Sequence, residues 1–293
     1  MDPSPQPLSV LAYPYRTLQP VERDRQSSKR LLKKPGSALV WDMASGVRIE
    51  DHQFARDRPG GTALILVLPP AERLKPNVKV LKLIEAIHPN GILPHHEVPH
   101  VDDLAQVLRW PPSDLGADIT EYLAWRGIRI SRETRHVVRR TVELSAELRS
   151  ISALSRGMYL SRRALGRRFE VEGLPVPSHW LHFARLLRVT FRLQNSEDSV
   201  VAAGFRFGYP DGFSLSNQMH RLTGFRPRDA RKYLGWEWLL EAWLRREAEH
   251  GGLRPEGPPT PPPLAEDRAA PPPCRGKQPK PSRSRRSGNR ATG

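Results

Sequence analysis

Four arginines crowd one short segment, Ser161 to Glu170, which reads SRRALGRRFE. A guanidinium keeps its charge and presents a rigid fork of N–H donors, so it can grip a phosphate or both acceptors of a guanine edge. Leu165 and Phe169 stand at i, i+4, which gives a helix one inward apolar face and leaves Arg162, Arg163, Arg167 and Arg168 outward. Ser161 is a suitable N-cap, Met158-Tyr159-Leu160 a turn, and Ile151 to Arg156 a short supporting helix. An isolated basic helix is ordinarily a solvated charged face; the turn and cap ahead of this one favour a nucleic-acid reading unit. A second unit of the same kind surrounds Asp211. Gly208-Tyr209-Pro210-Asp211 reads as a tight turn, with Asp211 capping a helix whose Leu215, Met219 and Leu222 form one apolar face. Phe213, Ser214 and Asn217 fall on the other side, where an N-terminal turn can meet base edges in a major groove. Thr223-Gly224 ends that helix and Pro227 opens another short one.

Two other constellations could do chemistry. His96-Glu97-Val98-Pro99-His100 has the H-E-x-x-H spacing, which on a helix sets two histidines to one zinc ion with the glutamate as base. Pro99 inside the motif and Pro94 before it remove helical hydrogen bonds and lose that register, so a loop is expected, with His95 beside it offering only adventitious metal contact. Asp42 follows an apolar run where a phosphoacceptor could sit. The single cysteine, Cys274, excludes an intrachain disulfide, suits a reducing cytoplasm and is given no role. No metal, cofactor or enzymatic activity is expected.

The elements that must position the two reading helices follow from pattern. Pro177 to Gln194 repeats Trp180, Ala184, Leu187 and Phe191 on one stripe, a rod of roughly 27 Å at 1.5 Å per residue. Such a rod can hold two helices about one DNA turn, ~34 Å, apart. Tyr233 to His250 carries Trp236, Leu239, Leu240 and Trp243 at helical spacing, and its net charge of −2 argues against gripping DNA. Ser37 to Met43 and Thr62 to Leu68 read as buried strands, Val78 to Ile87 and Val101 to Trp110 as helices, and Gly91 to Leu93 as a short strand. That succession predicts a small α/β domain with a parallel sheet over 36–112, preceded by a flexible arm over 1–35 that holds one short strand at Leu8 to Tyr13. A helical linker over 113–149, an all-α domain over 150–232, an amphipathic helix over 233–250 and a disordered Pro/Arg-rich tail over 251–293 complete the expected order. The net charge of +16 is uneven: 150–232 carries +8 and the tail +6. That favours a polyanionic partner, and no long apolar run suggests a membrane span.

Residues 150–232 resemble the C-terminal DNA-binding domain of AraC-type transcriptional regulators. The first unit matches the L-S-R-R-x-L-x-R-R-F pattern at Leu160 to Phe169, and the second matches G-F/Y-x-D…F-x-x-L-T-G-x-x-P at Gly208 to Pro227, with Met219 in the usual Phe place. Fifty residues separate Ser161 from Asp211, as in that family. The resemblance implies a double helix-turn-helix whose base-reading positions fall on Arg163, Gly166 and Arg167, then on Phe213, Ser214 and Asn217. Gly166 has no side chain to read with, and Ala230-Arg231 stands where the family closes with an aromatic residue and Arg. Arg162 and Arg168 are then expected at phosphates. The α/β region is similar in outline to a receiver domain of two-component response regulators. Pro69 and Pro94 replace its expected Ser/Thr and Lys, and no early acidic pair is present to hold Mg²⁺. This implies a degenerate, non-phosphorylated domain, beside the plainer alternative of a sheet domain that packs on the helical half or makes a dimer. The expected partner is double-stranded DNA, with a second copy through the N-terminal domain and RNA polymerase as further candidates. The rival readings are a non-specific architectural DNA binder using the basic domain and tail, and an enzyme acting at Asp42 or at His96 and Glu97.

Overall fold

A computed structural model describes residues 7–22, 25–45, 48–69, 78–94 and 100–254. A five-stranded sheet forms from β1 (Leu8–Leu11), β2 (Leu18–Pro20), β3 (Ala38–Asp42), β4 (Ala63–Leu68) and β5 (Gly91–Pro94). Its order is β2-β1-β3-β4-β5. Three helices interleave with the strands: α1 (Arg25–Leu32), α2 (Ile49–Arg56) and α3 (Val78–Ile87); α4 (Val101–Arg109) follows. The crossovers through α2 and α3 make β3, β4 and β5 parallel, with Val40 opposite Ile65 and Leu66 opposite Ile92. β1 runs antiparallel to both β2 and β3, with Val10 opposite Gln19 and Leu39. The expected all-parallel sheet is therefore a mixed one.

The arm expected over 1–35 is also corrected: it supplies two strands and a helix. Leu8, Val10 and Leu11 are at most 2% exposed, because β1 lies inside the sheet with helices over both faces. Side chains alternate along each strand, so both faces are apolar. Leu39, Trp41, Leu64 and Leu66 meet Phe54, Ala55 and Ile87 on one side. Val40, Ile65 and Val67 meet Leu104, Ala105 and Leu108 of α4 on the other, together with Leu234 from far along the chain.

The helical half comprises α5 (Leu115–Trp125), α6 (Arg132–Leu144), α7 (Ile151–Gly157), α8 (Arg162–Val171), α9 (Pro177–Asn195), α10 (Val200–Arg206), α11 (Gly212–Thr223), a 3₁₀ turn at Pro227–Arg231 and α12 (Glu237–Glu249). Proline opens α9, where its missing N–H costs nothing. Besides the stripe of Trp180, Ala184, Leu187 and Phe191, Leu181, Leu186, Val189 and Leu193 on the other sides of α9 are buried, so the rod is the centre of a core rather than a one-sided strut. Trp243 of α12 stacks on Phe183 at 4.2 Å and meets the edge of Trp180 at 4.6 Å. Beyond α12 the chain stays packed: Leu253 is buried and the Arg254 N–H donates to the Gly173 carbonyl at 2.9 Å. Those four residues, 251–254, leave the span expected as tail; the rest of that span lies outside the described residues.

The two halves meet along α12. Asn90 Nδ2, beside β5, donates to Glu237 Oε1 at 2.6 Å, while Asn90 Oδ1 accepts from the Leu64 N–H. The Tyr122 hydroxyl donates to Glu241 Oε2 at 2.8 Å and accepts from the Gly61 N–H at 2.8 Å. Arg58 is buried beneath this seam, stacks over Trp125 at 4.3 Å and donates to four carbonyls, those of Ala55, Thr62, Ile87 and His88. Burial pulls its guanidinium down to about 10.

Candidate nucleic-acid interface

The two units repeat one turn, bond for bond. After α7, the Tyr159 N–H donates to the Arg156 carbonyl at 3.0 Å and the Leu160 N–H to the Ser155 carbonyl at 2.9 Å. After α10, the Gly208 N–H donates to the Phe205 carbonyl at 3.0 Å and the Tyr209 N–H to the Gly204 carbonyl at 3.0 Å. Both are helix stops that need a left-handed residue. Gly208 takes φ 79° without cost; Tyr159 takes φ 55° despite its Cβ. The first turn is one residue shorter, since Pro210 has no counterpart before Ser161.

Each turn delivers a capped helix. Ser161 Oγ accepts from the Ala164 N–H at 3.1 Å, and Asp211 Oδ1 from the Ser214 N–H at 2.6 Å. These backbone donations hold the Asp211 carboxyl below the ordinary carboxylate value. Leu165 and Phe169 anchor α8, and Phe169 meets Trp180 of α9 at 6.5 Å. Leu215 and Met219 anchor α11 with no exposed area, against α10 and α12. The junction between the units is also fixed. Arg185 of α9 donates to the Phe207 carbonyl and lies 4.8 Å over the Tyr209 ring. The Arg149 side chain, just before α7, lies against Gly208, where a Cβ would meet its Nε.

The anticipated residues divide as follows. Arg162, Arg163 and Arg167 are exposed and Arg168 is half-buried; none bonds or pairs with a described residue. The space beside Gly166 is open, with no atom of a described residue within 4 Å of a Cβ placed there. Phe213 is 75% exposed, and Asn217 is exposed and bonds to no described residue. Ser214 is partly covered, and its hydroxyl donates to Asp211 Oδ2 at 3.1 Å, so it serves the cap as well as the outer face. Three features went unforeseen: the left-handed Tyr159, which is 97% exposed; the apolar pair Val201 and Phe205 on the outer side of α10; and the cations Arg226 and Arg228 that flank Pro227. The run Phe225-Arg226-Pro227-Arg228 was the signal for the last pair.

Asp42 sits at the end of β3, partly buried, and its Oδ1 accepts from the Ala44 N–H at 2.9 Å, closing a 3₁₀ turn. His95, His96, Glu97 and Pro99 lie outside the described residues, as does Cys274. Among the described residues no group of His, Cys, Asp and Glu gathers to hold a metal ion. Nor is any described helix long and apolar enough to cross a membrane. No protein-family model matches this chain, and no curated protein matches it.

Proposed function

We propose that the chain is a sequence-specific, double-stranded DNA-binding transcriptional regulator of AraC type, with α8 and α11 entering successive major grooves. One observation supports this reading: the same helix-turn-capped-helix unit occurs twice around a buried rod, and each unit turns an arginine or polar face outward. α9 has 19 residues, about 28 Å at 1.5 Å per residue, close to the ~34 Å repeat of the groove. Arg163 and Arg167 are assigned to base edges, Asn217 and Ser214 to the second groove, and Arg162 and Arg168 to phosphates. The sheet half is assigned a scaffold role. Its strand order is that of a doubly wound open sheet, but the reversed β1 departs from the all-parallel pattern of a receiver. Acyl-phosphate labelling at Asp42 is expected to be negative.

Selection of bound duplexes from a random pool tests the reading. Arg163→Ala and Arg167→Ala should each cost about 1–3 kcal/mol of binding and relax one base position. Unchanged affinity and unchanged sequence preference in both variants would refute it. The rival, non-specific binding through the basic tail, is separated by truncation after Arg254, which spares the packed Leu253. Loss of all binding favours the rival, whereas a weaker but still selective complex favours the regulator.

A further inference from the structure

A cleft of about 580 Å³ opens at the N-terminal ends of α10 and α11, lined by Val200, Val201, Gly212, Phe213, Ser216 and the Arg226-Pro227-Arg228 run. Its floor is tight, since a Cβ on Gly212 would come within 2.9 Å of Val201 Cγ2. Its rim is cationic. Arg226 Nη1 donates to Ser216 Oγ at 3.2 Å, which holds that guanidinium against α11, and the Arg226 N–H donates to Asp229 Oδ2. Arg228 is exposed and bonds to no described residue. Phe213 forms an apolar wall beside them.

We propose that this cleft seats a backbone phosphate of duplex DNA, with Arg226 and Arg228 as its cationic sides and Phe213 and Val201 against the flanking deoxyribose. The inference rests on the DNA-binding reading and adds a seat to it. Two guanidiniums over an apolar wall match one phosphodiester and its sugar, an anion with apolar neighbours. A phosphate contact fixes register without reading sequence, so its loss should weaken all duplexes alike.

The test is fluorescence anisotropy with the selected duplex and a scrambled one, across roughly 50 to 200 mM salt, where each neutralised phosphate contributes a slope of about 0.9 in log K against log salt. Arg228→Ala should flatten the slope by about that amount, so the wild type loses ~3.5-fold more affinity than the variant over the range. The preference for the selected duplex should stay unchanged, and Arg228→Lys should restore the slope. Arg228→Ala removes no hydrogen bond or ion pair to a described residue, so it decides the matter; with one phosphate seated, Arg226→Ala added to it should flatten the slope no further. Inorganic phosphate at constant ionic strength should leave the bound fraction unchanged. If it displaced duplex from the wild type but not from Arg228→Ala, the cleft would be a free-anion site and the proposal would fall. A wild type that binds duplex selectively while Arg228→Ala keeps its slope removes the seat alone. A wild type that binds no duplex removes the DNA reading and the seat with it.

Discussion

Glu237 begins α12 with its carboxyl sealed into the seam between sheet and helices, 2% exposed. Asn90 Nδ2 and the Trp236 N–H donate to it, at 2.6 and 3.0 Å. Burial nevertheless dominates and lifts its carboxyl from 4.5 to about 7, with the nearby Asp118 adding to the rise and the two backbone N–H donors and Arg58 opposing it. An acid whose folded pKa exceeds its unfolded value holds its proton longer in the native state. Its contribution is therefore complete below about pH 4.5, is lost as pH rises toward 7, and is flat beyond. Lifting the carboxyl from 4.5 to about 7 corresponds to roughly 3 kcal/mol. Other groups titrate in the same window. Burial also raises Asp118, to about 6, and contributes with the same sign. His88 and His182 are held below the ordinary histidine value by burial, and they lose stability as pH falls through that value, with the opposite sign. The difference between wild type and Glu237→Gln cancels the histidines and reports Glu237 with its coupling to Asp118. In urea unfolding followed by tryptophan fluorescence, the variant should gain on the wild type by roughly 3 kcal/mol as pH rises from below 4.5 to above 7. Stability curves that run parallel across that window would refute the argument.

Three further outcomes follow from the packing. Tyr159→Gly relieves a left-handed tyrosine that touches little, so it should stabilise by about 1 kcal/mol in thermal unfolding, whereas Gly208→Ala should destabilise through its left-handed φ. Ser161→Ala removes the cap of α8 and should cost about 1 kcal/mol by chemical denaturation, with less helix at its N-terminal turn by hydrogen exchange. Trp243→Ala empties the centre of the aromatic cluster and leaves Glu247 without its indole donor; a loss of about 3–5 kcal/mol is expected, and a midpoint shift worth under 1 kcal/mol would contradict the packing described.

The helical half was legible because its signals are local. Ser161 and Asp211 announce caps, Gly224 and Pro227 announce a stop and a start, and the apolar spacing in α8, α9, α11 and α12 picks out faces that are in fact buried. β3, β4, α3, β5 and α4 were legible for the same reason. β1 was legible as a short strand but its place in the sheet was not, because its burial depends on pairing with β3 some thirty positions away. α2 was missed, since Ile49 to Arg56 buries only Asp51, Phe54 and Ala55 and shows little apolar periodicity.

Sequence alone determined the two helices that carry the reading faces, α8 and α11, their caps and the side chains their outer faces present, since a hydrogen bond to residue i−4 and a capping oxygen involve near neighbours only. Tertiary structure decided that β1 runs against its neighbours, that Tyr159 rather than a glycine takes the left-handed place, and that Arg226 and Arg228 share a cleft with Val201 and Phe213. It also decided that Glu237 meets Asn90 across 147 positions, for a carboxyl's solvation depends on what folds over it, and no local pattern carries that information.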